Sequence, residues 1–280
     1  MQIHERAMLV DLSIKQWSMR KLDKDISREI ENKYNAFDAG NYNKVLIAVE
    51  QGKEITRAST EARAFHYENT LAWDDNGRRI LPSGNYLNYL NEMNSKKTNF
   101  LSTVNRFCQN YEYYKNEAKN RLNGLFKESD YPALSEIESR YGFEIMISPV
   151  PHKDDFRVSL GDVEMERVQR EIEERVTEAQ GAAVLDLWDR LHSSIKHIID
   201  RLSDKDAVFR DSLIGNVIEL TDLLPRLNFT NDRDLEAMRR EVEKSICRIS
   251  PDNIRNDAKL RNDTVKKANE LANKMKGYMG

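Results

Sequence analysis

Residues 162 to 203 read DVEMERVQREIEERVTEAQGAAVLDLWDRLHSSIKHIIDRLS. Within them Met165, Val168, Ile172, Val176, Ala179, Ala183, Leu187, Leu191, Ile195, Ile198 and Leu202 recur every three or four positions. Side chains at that spacing share one face of an α-helix, so the stretch predicts a single amphipathic helix over about 162–203 with Asp162 as its cap. Ten steps carry the line from Met165 to Leu202, about 3.7 residues each, where a left-handed coiled coil needs about 3.5. The stripe therefore implies a nearly straight rod, or one with slight right-handed supercoiling.

Working outward, Ser83 or Asn85 is placed to cap a second run in which Tyr86, Leu90, Met93, Leu101, Val104, Cys108, Tyr111, Ala118, Leu122 and Leu125 share a face. No proline falls between Ser83 and Tyr131, which predicts a helix over about 83–126, some 40 residues and roughly 60 Å long. The two rods are expected to pack on each other. A small antiparallel β element accompanies them, at about 9–15 (Val10, Leu12 and Ile14 alternating with polar residues), 143–147 and 156–160. Asn76-Gly77 between apolar flanks predicts a tight turn.

Shorter helices fill the rest. One follows Asp23 with Ile26, Ile30 and Tyr34 on its apolar face and ends before Gly40. Another opens at Asn43 and turns Val45, Val49, Ile55, Ala58, Ala62 and Phe65 inward. Downstream helices run from Phe209 until Pro225 stops them, from an Asn231 cap to Ile246, from Ser250-Pro251, and from Ala258 to about Lys276. The fold class expected is mainly α, an elongated bundle built on two long helices. The chain is expected to form one unit, 1–280, with 1–160, 161–254 and the basic helix 255–280 as its natural subdivisions.

Composition fits this reading. Of 280 residues 32% are charged, whereas Gly (11) and Pro (6) together are about half the usual share, which disfavours collagen-like and sandwich folds. The formal net charge of −3 creates no global field toward nucleic acid or anionic membrane. Two cysteines, Cys108 and Cys247, are too few for a disulfide framework, and are expected to be reduced. No apolar run approaches the roughly 20 residues that span a bilayer, so no membrane association and a cytoplasmic location are expected.

Motifs for chemistry are sparse. The dispersed glycines form neither a phosphate-binding loop nor a dinucleotide fingerprint. His66-Tyr67-Glu68 matches half of a zinc-deaminase signature whose cysteine half is missing, so His66 reads as a helix-surface residue. His192 and His197, five apart, point about 140° away from each other on a helix and do not chelate one ion; His197, beside Ile198 and Ile199, reads as packed or interfacial. Among paired acids, Asp154-Asp155 beside Lys153 is the least implausible metal site. No catalytic residue, metal or cofactor is expected. In the cluster Phe100, Phe107, Tyr111, Tyr113 and Tyr114, only Tyr113 leaves the apolar face, which makes it a candidate partner contact.

One charge pattern stands out. Arg255, Lys259, Arg261, Lys266, Lys267, Lys274 and Lys276 give the C-terminal helix seven bases against three acids, a candidate nucleic-acid or partner contact. Residues 162–180 carry the opposite bias, seven acids against three bases.

Four stretches, Leu12-Ser13-Ile14-Lys15-Gln16-Trp17-Ser18, Leu81-Pro82-Ser83-Gly84-Asn85-Tyr86-Leu87-Asn88-Tyr89, Val208-Phe209-Arg210-Asp211-Ser212-Leu213 and Asp222-Leu223-Leu224-Pro225-Arg226-Leu227-Asn228, together resemble an uncharacterised family encoded by tailed bacteriophages and prophages. The likeness spans about residues 9 to 247, with Gly84 where the family pattern has alanine. Such genes often neighbour those for a MoxR-type AAA ATPase and a von Willebrand A-type protein. The resemblance implies a mostly helical protein and carries over no catalytic residue, and two helices of about 40 residues present more surface than one chain readily covers, so self-association or a partner is expected. The expected function is thus a non-catalytic phage protein acting by protein–protein contact, an adaptor, assembly or host-takeover factor that forms a homo-oligomer. Nucleic-acid binding through the basic helix and blockade of a bacterial immune component are the alternatives.

Overall fold

Capping side chains start two of the helices, after Asp23 and Asp232, in the computed structural model, which describes residues 3–74, 76–155, 161–204 and 208–279. In chain order the strands are β1 (Ala7–Lys15), β2 (Arg20–Leu22), β3 (Asn43–Val45), β4 (Leu71–Ala72), β5 (Arg79–Pro82) and β6 (Gly142–Pro149). The helices are α1 (Lys24–Tyr34), α2 (Val49–Glu68), α3 (Tyr86–Gln109), α4 (Tyr111–Leu122), α5 (Leu134–Ile137), α6 (Asp162–Ser203), α7 (Ser212–Leu227), α8 (Arg233–Val242), α9 (Pro251–Asn256) and α10 (Ala258–Met279). The protein is mainly helical with a small antiparallel sheet in the order β4-β5-β1-β6, and β2 and β3 form a separate ribbon. Register in the sheet is set by Leu9 opposite Ile80 and Ile80 opposite Leu71, all three fully buried.

The chain divides into two compact units. One comprises Met1–Asp11, Tyr67–Tyr89 and Met146–Gly280; the other comprises Leu12–His66 and Leu90–Ile145.

In the first unit α10 packs along α6, burying Thr264, Ala268, Leu271, Ala272 and Met275 of the former, while α7 also contacts α6. The buried stripe of α6 begins only at Ala179 and runs through Ala183, Leu187, Trp188, Leu191, Ile195 and Ile198 to Leu202. Trp188 ties three helices together: its ring stacks on Tyr278 at 4.6 Å and its Nε1 donates to Asp232 Oδ2, while Asp232 Oδ1 caps the first turn of α8. The Asn76-Gly77 turn is present, with Gly77 at φ 91° and Trp73 N donating to Arg78 O.

In the second unit an aromatic core gathers Trp17, Phe100, Phe107, Tyr111, Tyr141 and Phe143, with edge-on or tilted ring contacts between 5.7 and 6.5 Å. Gly52 of α2 is there for close approach, since a Cβ at that position would lie 2.5 Å from Met19 Cε.

Several expectations are corrected. The rod over 83–126 is two helices broken at Asn110. Its N–H goes to Phe107 O, and its side-chain amide takes Arg106 O, the carbonyl that a continuing helix would have used. Asn43 to Val45 form a strand, and the following helix starts at Val49, which is exposed. Pro225 sits inside the last turn of α7: the Thr221 carbonyl that it leaves without a backbone donor accepts from Arg239 Nη1 at 3.4 Å. Asp232, with two N–H bonds to its side chain, caps α8 in place of Asn231, and Gly161 holds the cap position of α6 in place of Asp162. His66 is buried, and His197 is exposed. The expected strand at 156–160 lies outside the described residues.

Candidate functional site

The basic residues singled out in the sequence occupy α9 and the outward side of α10, and several are already engaged. Arg255 pairs with Asp211 and Asp252 and lies over the Phe209 ring. Arg261 donates to the carbonyls of Arg201, Leu202 and Asp204, finishing the C-terminal end of α6. Lys274 pairs with Glu241, and Lys276 reaches Asn273. Lys259, Lys266 and Lys267 are exposed without a described ion pair, but at 100° per residue Asp263 and Glu270 fall on the same side of the helix and dilute the field. Tyr113 is 61% exposed on α4, its hydroxyl donating to Glu117 Oε1.

At the paired acids weighed as the least implausible metal site, Asp154 and Asp155 belong to a short exposed turn in which Lys153 pairs with Glu173. Among the described residues no three His, Cys, Asp or Glu side chains are grouped to hold a metal, and no helix is long and apolar enough to cross a membrane. Both cysteines are free.

A buried electrostatic cluster lies elsewhere, in the second unit. Lys44, on β3 and only 1% exposed, places Nζ 2.8 Å from Asp23 Oδ2, 2.6 Å from Asp130 Oδ2 and 3.0 Å from Leu125 O. Lys21 closes the set at 2.8 Å from Asp130 Oδ1. The hydrogen bond from Lys44 holds the Asp23 carboxyl below its ordinary range, helped by the Ile26 N–H. Burial pushes the Asp130 carboxyl up, but Lys21 and Lys44 outweigh it and the carboxyl is lowered. Burial likewise works against the Lys44 ammonium, and the two aspartates more than offset it, so Lys44 is held charged. A lysine kept protonated between two carboxylates is not a nucleophile or a Schiff-base former. Its effect is mechanical: it ties β3 to the root of α1 and to the turn at 125–130. A cleft of about 430 Å³ beside it is lined by Trp17, Arg20, Lys21, Asp130, Tyr131 and Arg140, among others.

The element anchored by Lys44 is unusual. Helix α1 buries none of its residues, although Ile26, Ile30 and Tyr34 repeat every fourth position. Ile30 is 41% exposed, Tyr34 70%, and Phe37, in the turn that follows, 97%.

Polar bonds position the helix at both ends. At the start Asp23 N donates to Tyr42 O, Asp23 Oδ1 accepts from Ile26 N, Ser27 Oγ donates to Asp23 O, and Tyr42 N donates to Ser27 Oγ. At the end Asn35 takes a left-handed conformation, Ala36 N donates to Glu31 O, and Ala39 N donates to Glu31 Oε1. The helix is thus placed by its caps and by the Lys44 cluster; Ile26 is half-buried, while Ile30 and Tyr34 of its apolar stripe are exposed.

Sequence reading found this helix and its stripe but missed its exposure. A signal was available: Asn35, Asp38 and Gly40 are residue types that tolerate positive φ, which all three adopt, and their clustering around Phe37 marks a surface turn.

No protein-family model matches this chain, and comparisons with curated proteins and with solved structures yield no match. Class and function therefore rest on the residues and geometry above.

Proposed function

We propose that this protein acts by binding other polypeptides, as a non-catalytic adaptor or assembly factor, and that the strip Ile26, Ile30, Tyr34 and Phe37 is its contact surface. The observation that supports the reading is a helix with an apolar stripe and no buried residue, fixed in place by buried polar bonds. An exposed stripe costs solubility and gives nothing to this chain's own core; covering it with a partner returns about 25 cal/mol per Å² of apolar surface. The 42-residue α6 adds a long rod whose first four turns lack buried residues, in keeping with an extended scaffold in an oligomer. The likeness to the phage family would make an AAA ATPase one such partner and the host cytoplasm the setting, and an immune component of the host is a target of the same kind.

The test is differential capture with full-length protein as bait. The bait carrying Ile30→Glu and Tyr34→Glu, with an unchanged thermal melt because neither side chain is buried, should lose polypeptides that the unaltered bait retains. Identical captured sets would reject the reading.

Lys259, Lys266 and Lys267, exposed without described ion pairs, support nucleic-acid binding as a second reading. Replacing these three with alanine tests it by salt-dependent gel shift. Deleting the helix does not, because Ala268, Leu271 and Met275 belong to the core.

A further inference from the structure

We infer that the occupant of the α1 strip is a second copy of this chain, the two α1 helices lying antiparallel about a twofold axis at the level of Glu31; this rests on the reading of the strip as a contact surface. The argument comes from the two edges of the stripe. At 100° per residue, Ile26, Ile30 and Tyr34 fan over about 80°, with Ser27 and Glu31 flanking one side and Glu29 and Lys33 the other. The first edge is satisfied within the chain, because Ser27 donates to Asp23 O and Glu31 accepts from Ala39 N. The second carries opposite charges with no described ion pair: Glu29 has none, and Lys33 only lies 5.6 Å from the Tyr34 ring.

A twofold axis perpendicular to both helices brings like edges together and reverses their direction. With the axis at the level of residue 31, Glu29 of each copy stands level with Lys33 of the other, giving two reciprocal ion pairs. The same operation sets Ile30 between the other copy's Ile30 and Tyr34, and brings Ile26 level with the turn that carries Phe37. Apolar and charged positions are therefore satisfied by one operation, as an isologous contact requires.

An anionic bilayer or a nucleic acid lacks this match. The helix carries three cations (Lys24, Arg28, Lys33) and three carboxylates (Asp25, Glu29, Glu31), so no net charge draws it to an anionic bilayer or to nucleic acid. Eleven residues make a helix about 16 Å long. A contact built on so short a helix is small beside standard interfaces, so the dimer should be weak and its population should depend on concentration across the micromolar range.

Sedimentation equilibrium of the full-length protein from about 1 to about 200 µM tests this. The unaltered protein should approach twice the chain mass. Glu29→Lys and Lys33→Glu should each weaken association by on the order of tenfold, since each places like charges level across the axis. An equimolar mixture of the two variants should recover it: one then carries two cations on this edge and the other two carboxylates. All these positions are exposed, so the folds should survive, which a circular dichroism melt checks. A protein that stays monomeric throughout, a dimer unmoved by either substitution, or a mixture no tighter than its components would overturn the inference. If the protein is monomeric while Ile30→Glu with Tyr34→Glu still loses captured polypeptides, the second copy is wrong and the proposed function stands. If capture is also unchanged, both fall.

Discussion

At the scale of residues, Lys44 decides more than any other side chain, and its weight was not legible from the sequence. A lysine in a three-residue strand looks like a solvated residue, and only the fold brings Asp23 and Asp130, separated by more than 100 positions, onto its ammonium. Removing one member of such a buried set leaves uncompensated charge, so Lys44→Met should lower unfolding free energy in urea by about 3–5 kcal/mol.

The lowered carboxyls and raised ammonium fix the pH dependence. Stability from Asp23 and Asp130 is present above their unfolded value near about 3.9 and lost as pH falls through their lower folded values. Stability from Lys44 is present below about 10.4 and lost as pH rises through its higher folded value. In Lys44→Met the Asp23 carboxylate loses its buried counter-charge and Asp130 keeps only Lys21, so both take up protons more readily than in the unaltered protein. The stability gap between the two proteins should therefore narrow below about pH 4. A gap independent of pH between neutrality and pH 3, followed by urea unfolding, would contradict this account of the cluster.

At the scale of elements, periodicity located the helices well. The stripe of α6, the Asp23 cap of α1, the proline at the start of α9 and the extent of α10 are visible as spacing, capping residues and helix-opening proline. What escaped was set by interactions that spacing does not encode. The ribbon of β2 and β3 has strands of three residues, too short for an alternating pattern. The break at Asn110 depends on a side-chain amide taking a backbone carbonyl. Pro225 remains helical because a residue on another helix reaches the carbonyl it abandons.

That last device is testable. Arg239→Ala should cost about 1–3 kcal/mol in part because the buried Thr221 loses this donor. In a Pro225→Ala background, where the backbone N–H at 225 can reach Thr221 O, the cost of Arg239→Ala should be smaller. The ion pairs of Arg239 with Glu236 and Glu243 are lost in both backgrounds and cancel in the comparison. Equal losses in both would show that Arg239 does not serve the proline turn.

At the scale of the whole molecule, composition and hydropathy conveyed the helical class, but not the path by which β1, α2, α3 and β6 each pass from one compact unit into the other. Nor did the sequence separate a stripe that builds the core from one that faces solvent. The stripes of α1 and α10 look alike in spacing, yet Ala268, Leu271 and Met275 are buried whereas Ile30, Tyr34 and Phe37 are not. The difference lies in what anchors each helix: packing along α6 in one case, and in the other capping bonds with a buried lysine cluster at the root. Of the residues nominated from sequence as contacts, Tyr113 is exposed as expected, while Arg255 and Arg261 are committed to bonds within the chain. The strip nominated from the structure carries a larger set of exposed apolar side chains.

Hydroxyl-radical footprinting across a concentration series, without and then with cell extract, tests the role of that strip most directly. Oxidation of Tyr34 and Phe37 should fall as the protein is concentrated, while that of Tyr113, exposed on another helix, stays constant. Tyr34 and Phe37 reacting at one unchanging rate at every concentration and in extract would show that nothing covers the strip, and would contradict the account.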